Sequence, residues 1–227
     1  MLLVGCGHSE PTADNDPMPP VEHGAQPVTY SQLEDNIKHD TLLIQTTFDM
    51  GDSTFVMVAG NIEPKFEGIR LYRYKLLPDS NASVLSYSSG GYDSWTMLPT
   101  FFTIPNSPGT HLILANFGER ESWGQKLLTM DSTFTDLGFI DAAYPEHILE
   151  GDTAYVKRMN IGPFGRLALH NDTVVFTFEC DSVFIYDDQA GHNDFVVPSR
   201  NVRYTYHSST GLELWLNGQR RAVKLPT

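Results

Sequence analysis

Val174-Val175-Phe176-Thr177-Phe178-Glu179-Cys180-Asp181-Ser182-Val183-Phe184-Ile185-Tyr186 reads as a strand, a short polar turn and a second strand. β-Branched and aromatic residues pack well on a pleated surface, and the Glu-Cys-Asp-Ser interruption is too polar to continue it. The same texture extends in both directions. Apolar stretches of about five to eight residues, rich in Val, Ile, Phe, Tyr and Thr, alternate with Gly, Pro, Asn, Asp and Ser. Upstream, strands are expected at Thr41–Phe48, Thr54–Gly60, Gly68–Leu76, Ser83–Ser88, Thr96–Ile104, Thr110–Asn116, Gln125–Met130, Phe134–Ile140, Ala154–Met159 and Gly165–Leu169. After Thr173–Phe178 and Ser182–Tyr186 come Asp194–Val197, Asn201–His207, Gly211–Leu216 and Ala222–Leu225. Helical periodicity is confined to two short candidates, Tyr30–Ile37, with Ser31 as cap and Glu34 three residues on, and Pro145–Leu149.

The expected fold is therefore all-β, an antiparallel β-sandwich of hairpins. The alternative is a small or irregular β-propeller, because the leading strands at Phe55, His111 and Val174 start roughly sixty residues apart. Such units share no motif in register, and a sandwich gives the same local pattern without closure.

The chain has 227 residues and a formal charge of -13. That balance disfavours nucleic acid and a direct electrostatic hold on anionic headgroups. Pro198–Thr227 runs against it, with Arg200, Arg203, Arg220, Arg221 and Lys224 opposing only Glu213. This basic end is expected to pair with acids of its own domain, or to meet an acidic partner. Cys6 and Cys180 are the only cysteines, so no disulfide can form within the folded part and stability rests on the core. Glu179 and Asp181 beside Cys180 disfavour a thiolate, which makes that residue structural.

Two loops combine aromatics with hydrogen-bonding groups: Gly90-Gly91-Tyr92-Asp93-Ser94-Trp95 and Glu121-Ser122-Trp123-Gly124. Tyr92, Asp93, Trp95 and Trp123 suit a sugar, whose ring faces are apolar and whose edges carry hydroxyls. A binding face follows if both loops emerge at one end; the competing reading is that Trp95 and Trp123 plug the core. A third loop, Asp187-Asp188-Gln189-Ala190-Gly191-His192-Asn193-Asp194, offers Asp187, Asp188 and Asp194 as calcium ligands, although its spacing fits no standard calcium loop and an acidic hairpin connection needs no metal. Asp49-Met50-Gly51-Asp52 is expected to be a tight turn. No Gly-x-Ser-x-Gly elbow, His-Glu-x-x-His pair or phosphate loop is present, and His39, His111, His147, His170, His192 and His207 are scattered. No catalytic residues and no cofactor other than calcium are expected.

The first residues point to a location. Leu2-Leu3-Val4-Gly5-Cys6 resembles the lipobox of bacterial lipoproteins, in which a cysteine follows a short apolar run ending in a small residue. The resemblance covers about five residues and implies acylation of Cys6 and a membrane hold through the acyl chains. Too few residues precede Cys6 for a whole signal, so the start is expected upstream of Met1. Gly7, in place of Asp, after the cysteine resembles lipoproteins sent to the outer membrane. The expected organisation is a signal remnant at 1–5, a lipidated tether at 6–27 and one all-β domain at 28–227. The expected role is a lipid-anchored envelope protein binding a glycan or an envelope protein. The rivals are a hydrolytic, carbohydrate-active lipoprotein and an assembly component that pairs Gly211–Leu216 or its neighbour with a partner's sheet edge.

Overall fold

The computed structural model describes residues 26–32, 37–61, 67–89, 94, 96–104, 107–119, 122–186, 195–221 and 223. The first half of the chain supplies β1 (Gln26–Val28), β2 (Leu42–Asp49), β3 (Phe55–Asn61), β4 (Ile69–Leu76), β5 (Ala82–Tyr87), β6 (Thr96–Thr103), β7 (His111–Glu119), β8 (Ser122–Met130) and β9 (Phe134–Ile140). The second half supplies β10 (Ala142–Glu150), β11 (Thr153–Met159), β12 (Gly165–His170), β13 (Thr173–Phe178), β14 (Ser182–Ile185), β15 (Phe195–Pro198), β16 (Val202–His207), β17 (Gly211–Leu216) and β18 (Gln219–Arg221). The fold is all-β, as the texture of the sequence requires. Among the described residues the only helical elements are 3-10 turns at Gly162–Phe164 and Ser199–Asn201, and no helix is long and apolar enough to cross a membrane.

Four antiparallel sheets form, none of them closed into a barrel: β2-β3-β4-β5, β1-β6-β7-β8-β9, β11-β10-β14-β15 and β12-β13-β16-β17-β18. They stack as a sandwich with an added layer. Phe48, Val56, Val58, Ile69 and Leu71 of the first sheet pack against Met97, Phe101, Ile113, Ala115, Phe117, Leu128 and Met130 of the second. The opposite face of that second sheet, with Phe102, Leu112, Leu114, Leu127, Leu137 and Ile140, packs on the second half of the chain through Leu167, Phe176, Val183, Tyr204 and Leu214. The sheet β1-β6-β7-β8-β9 is thus the central layer, buried on both sides. This explains why His111-Leu112-Ile113-Leu114-Ala115 is a continuous apolar run: both alternating sets are core. Each such side chain removed from water contributes about 1.5–3 kcal/mol.

Turn chemistry follows the sequence. At Asp49–Asp52, Gly51 takes φ 81° and Asp49 Oδ1 accepts the Gly51 N–H at 2.8 Å, the tight turn expected there. Asn217 and Gly218 at φ 51° and 75° reverse the chain between β17 and β18.

Four expectations change. Pro145–Leu149 is not helical but lies inside β10, paired to β11 from Tyr144 to Glu150. Only Ala142 and Ala143 pair with β14, so Pro145, which has no N–H to donate, faces a neighbour on one side alone. Pro99 in β6 obeys the same rule, because β1 pairs only from Phe101 onward. In the second helical candidate, Gln32 instead bridges Phe48, and residues 33–36 lie outside the described residues. Gln26 and Pro27, assigned to the tether, are part of β1. Finally, β17 pairs with β16 along its whole length and with β18 from Leu214 to Leu216, so that half of the Gly211–Leu216 edge is covered; among the described residues the last strand of the sheet is its neighbour β18. The stretch beyond β18 read as Ala222–Leu225 lies, apart from Val223, outside the described residues.

The opening segment also holds a surprise of connectivity. β13 and β14 form where expected, yet they do not pair with each other. Glu179–Asp181 carries the chain from one sheet to another, and Cys180 sits at that crossing with its thiol donating to Ser182 O at 3.2 Å. Burial, with Asp181 adding to it, raises the thiol's pKa, in line with a structural residue.

Candidate functional site

At one end of the central sheet three described residues from in or beside the segments singled out from the sequence, Ser94, Trp123 and Tyr186, come together. Ser94, just before β6, donates its hydroxyl to Gly118 O at 3.0 Å near the end of β7. Gly118 is the cross-strand partner of Trp123 at the start of β8. Tyr186, which follows β14 and leads into the acidic loop, donates its hydroxyl to Trp123 O at 2.7 Å. Trp123 itself is half-buried, and a Cβ built on Gly118 would lie 2.4 Å from its ring, so the indole rests flat against the glycine. Only glycine permits that approach. Beyond Trp123, Tyr186 and Phe184 meet edge to face, and the Arg158 guanidinium lies 5.1 Å and 5.3 Å from their ring centroids. The end is an aromatic platform with one cation beside it.

Beneath Trp123, on the same face of β8, comes Gln125, and its cross-strand partner is Asn116. Both are closed off from solvent, at 1% and 0% exposure, next to the buried Leu114 and Leu127 of the same strands. Asn116 donates its amide protons to Leu98 O at 2.6 Å and Leu114 O at 3.1 Å, which fixes the amide's orientation and leaves Oδ1 without a partner. Oε1 and Nε2 of Gln125 are both unpartnered as well. An unmade hydrogen bond on a buried polar atom costs about 1–3 kcal/mol. The 3-10 turn at Gly162 packs on Asn116, where a Cβ on Gly162 would stand 2.7 Å from Asn116 Nδ2 and 2.8 Å from Thr100 Oγ1.

The other face of β8 carries a charge. Lys126, 5% exposed, donates to Asp136 Oδ2 at 2.8 Å and to Ser89 Oγ at 2.7 Å, and Ser89 donates in turn to Asp136. A register shift between Leu127 and Leu128, with Gly138 at φ 135°, makes this pairing possible. Without the extra residue, strict alternation from Phe139 would present Leu137 to Lys126; the bulge turns Leu137 into the opposite core and brings Asp136 round. Ser89 with Lys126 has the outline of a nucleophile and base. An ammonium donating to both the serine and a carboxylate has no lone pair for the serine proton, so the trio is an ion pair with a capping hydroxyl.

At the far end of β7, His111 Nε2 is hydrogen-bonded to the Tyr30 hydroxyl, and Tyr30 packs edge-on against Phe101. Burial lowers the His111 pKa, while nearby Asp52 pulls it up and Arg73 adds to the depression. The basic C-terminal region is partly absorbed within its own sheet: Arg220 pairs with Glu213 at 2.6 Å, and Arg203 stacks on Trp215 at 4.9 Å.

Of the residues proposed from sequence, Trp123 stands at the centre of this end. Tyr92, Asp93 and Trp95, the calcium candidates Asp187, Asp188 and Asp194, and Cys6 lie outside the described residues. Among the described residues no three His, Cys, Asp or Glu side chains converge as a metal site. Gln125, Asn116, Tyr186 and the Lys126–Asp136 pair were not singled out. The signal for three of them is polarity at strand positions: Asn116, Gln125 and Lys126 interrupt runs otherwise fit only for a core. Comparison with family models, with curated proteins and with solved structures returned no match.

Proposed function

We propose that this is a non-enzymatic binding protein of the bacterial envelope, held to a membrane through acyl chains on Cys6, whose ligand face is the Trp123 end of the central sheet. The ligand is a glycan. The observation that carries this reading is the pair of hydrogen bonds from Ser94 to Gly118 O and from Tyr186 to Trp123 O, which draw the flanks of separate loops around one half-buried indole. A flat aromatic beside hydroxyl and guanidinium groups matches the apolar face and polar edge of a sugar ring. The lipobox-like Leu3-Val4-Gly5-Cys6 supports the location.

The test has two arms. Wild-type protein should be retained on immobilised envelope polysaccharide from its own host, and Trp123→Ala should run through; equal elution of the two would overturn the ligand face. Protein recovered from the host membrane fraction should have a mass that begins at Cys6 with acyl chains added, and Cys6→Ala should leave that fraction. An unmodified Cys6 would remove the anchor and leave the binding face to be judged separately.

A further inference from the structure

We infer that Gln125 and Asn116 are the specificity-determining floor of this site, taking the hydroxyl groups of a neutral sugar whose ring stacks on Trp123. The inference rests on the glycan reading above and adds to it the class of sugar.

Three hydrogen-bonding atoms on one cross-strand pair stand unused: Asn116 Oδ1, Gln125 Oε1 and Gln125 Nε2. They make two acceptors and one donor group. A carboxylate or phosphate, which only accepts, would meet two opposing lone pairs; an ammonium, which only donates, would meet Nε2. A sugar hydroxyl both donates and accepts, so two adjacent hydroxyls give each polar atom of the Gln125 amide a partner, and the one that accepts from Nε2 can give its own proton to Asn116 Oδ1. Among the described residues no ionised side chain is a partner of either amide.

Placement agrees with chemistry. Trp123 and Gln125 are alternate residues of one strand and share a face, about 6.6 Å apart along it, close to the span of a pyranose ring. Gln125 is shut in and the Gly162 turn packs on its partner Asn116, so the way in is from the end of the strand, where the indole must swing off Gly118 for a hydroxyl to reach the amide. Binding is thereby coupled to a movement of Trp123 that fluorescence reads, with Trp123→Ala supplying the signal of Trp95 and Trp215 to be subtracted.

The probes are mannotetraose and cellotetraose, with wild type, Gln125→Met and Trp123→Ala compared by titration and thermal melting. Methionine keeps the volume of glutamine and removes the amide. Expected are a shift of Trp123 emission with one of the two probes, an affinity at least tenfold weaker in Gln125→Met, and a Tm about 2–4 °C higher in that variant because an unpaired buried amide is gone. Equal binding by wild type and Gln125→Met would overturn the floor and leave the glycan reading intact, as would retention on the host polysaccharide with no response to either neutral probe. A lower Tm in Gln125→Met would mean that an internal water already pairs the amide, which also overturns the inference. Failure to bind either probe together with failure to bind the host polysaccharide would end both.

Discussion

The two faces of the central sheet bury polar groups in opposite ways. Towards β2–β5, the intruder is an ionised pair bonded three ways, Lys126 to Asp136, Lys126 to Ser89 and Ser89 to Asp136, with Asp136 Oδ1 the one atom left over. Towards the second half of the chain, the intruders are two neutral amides, and three of their atoms are left without partners. The difference follows from magnitudes. An uncompensated buried charge is far more expensive than an unmade hydrogen bond on an amide, so a fold can tolerate the second where it cannot tolerate the first. A tolerated deficit at the end of the sheet that carries Trp123 and Tyr186 is where a ligand group has most to gain.

The contrast breaks first at the ion pair. Lys126→Met leaves Asp136 buried and unpaired, and should lower the unfolding free energy in urea by about 3–5 kcal/mol. The double change Lys126→Met with Asp136→Leu should restore most of that loss. A double variant no better than the single would mean that the pair contributes packing rather than charge balance. On the amide face the expected effects are smaller. Gly118→Ala drives a methyl into the Trp123 ring and should destabilise by about 1–3 kcal/mol while changing Trp123 emission; unchanged emission would show that the indole does not rest on the glycine.

The smallest effect lies at the far end of β7. Because burial holds the His111 imidazole below the ordinary histidine range, the folded chain binds fewer protons there than the unfolded one. Stability should therefore fall as pH drops through about 6.5, the unfolded value, and level off below the folded one. His111→Gln should flatten that part of the curve measured by urea unfolding between neutral and mildly acid pH. An unchanged slope would assign it to other groups.

Much of the fold was legible because strand texture is local. Thr173–Phe178 and Gly211–Leu216 were placed from sequence with the boundaries they have. β10 was not, since Ala142-Ala143-Tyr144-Pro145-Glu146 has poor strand propensity and is held extended only by β11 and, at its first residues, β14. Pairing partners were out of reach for the same reason: nothing in Glu179-Cys180-Asp181 tells a hairpin from a crossing between sheets. At the site, Trp123 was visible as an aromatic beside a turn. Asp136 facing Lys126 was not, because a bulge reverses the parity on which the reading of a strand depends. Gln125 and Asn116 were visible as residues but not as a pair, for their meeting depends on the β7–β8 register.

The order in which strands are laid down separates the two halves once more. β2–β5 and β6–β9 are meanders whose neighbours in space are neighbours in sequence, so each can assemble as soon as it leaves the ribosome. In the second half the chain alternates between sheets: β10–β11 in one, β12–β13 in another, β14–β15 back in the first, β16–β18 in the second. Neither sheet can be completed before the other is well advanced. The sheet begun at Ala142 is finished only by β15, which ends at Pro198, and the sheet begun at Gly165 only by β16–β18, which end at Arg221. Truncation between β13 and β15 should leave two incomplete sheets, and the face of the central layer that carries Gln125 would be the surface they fail to cover.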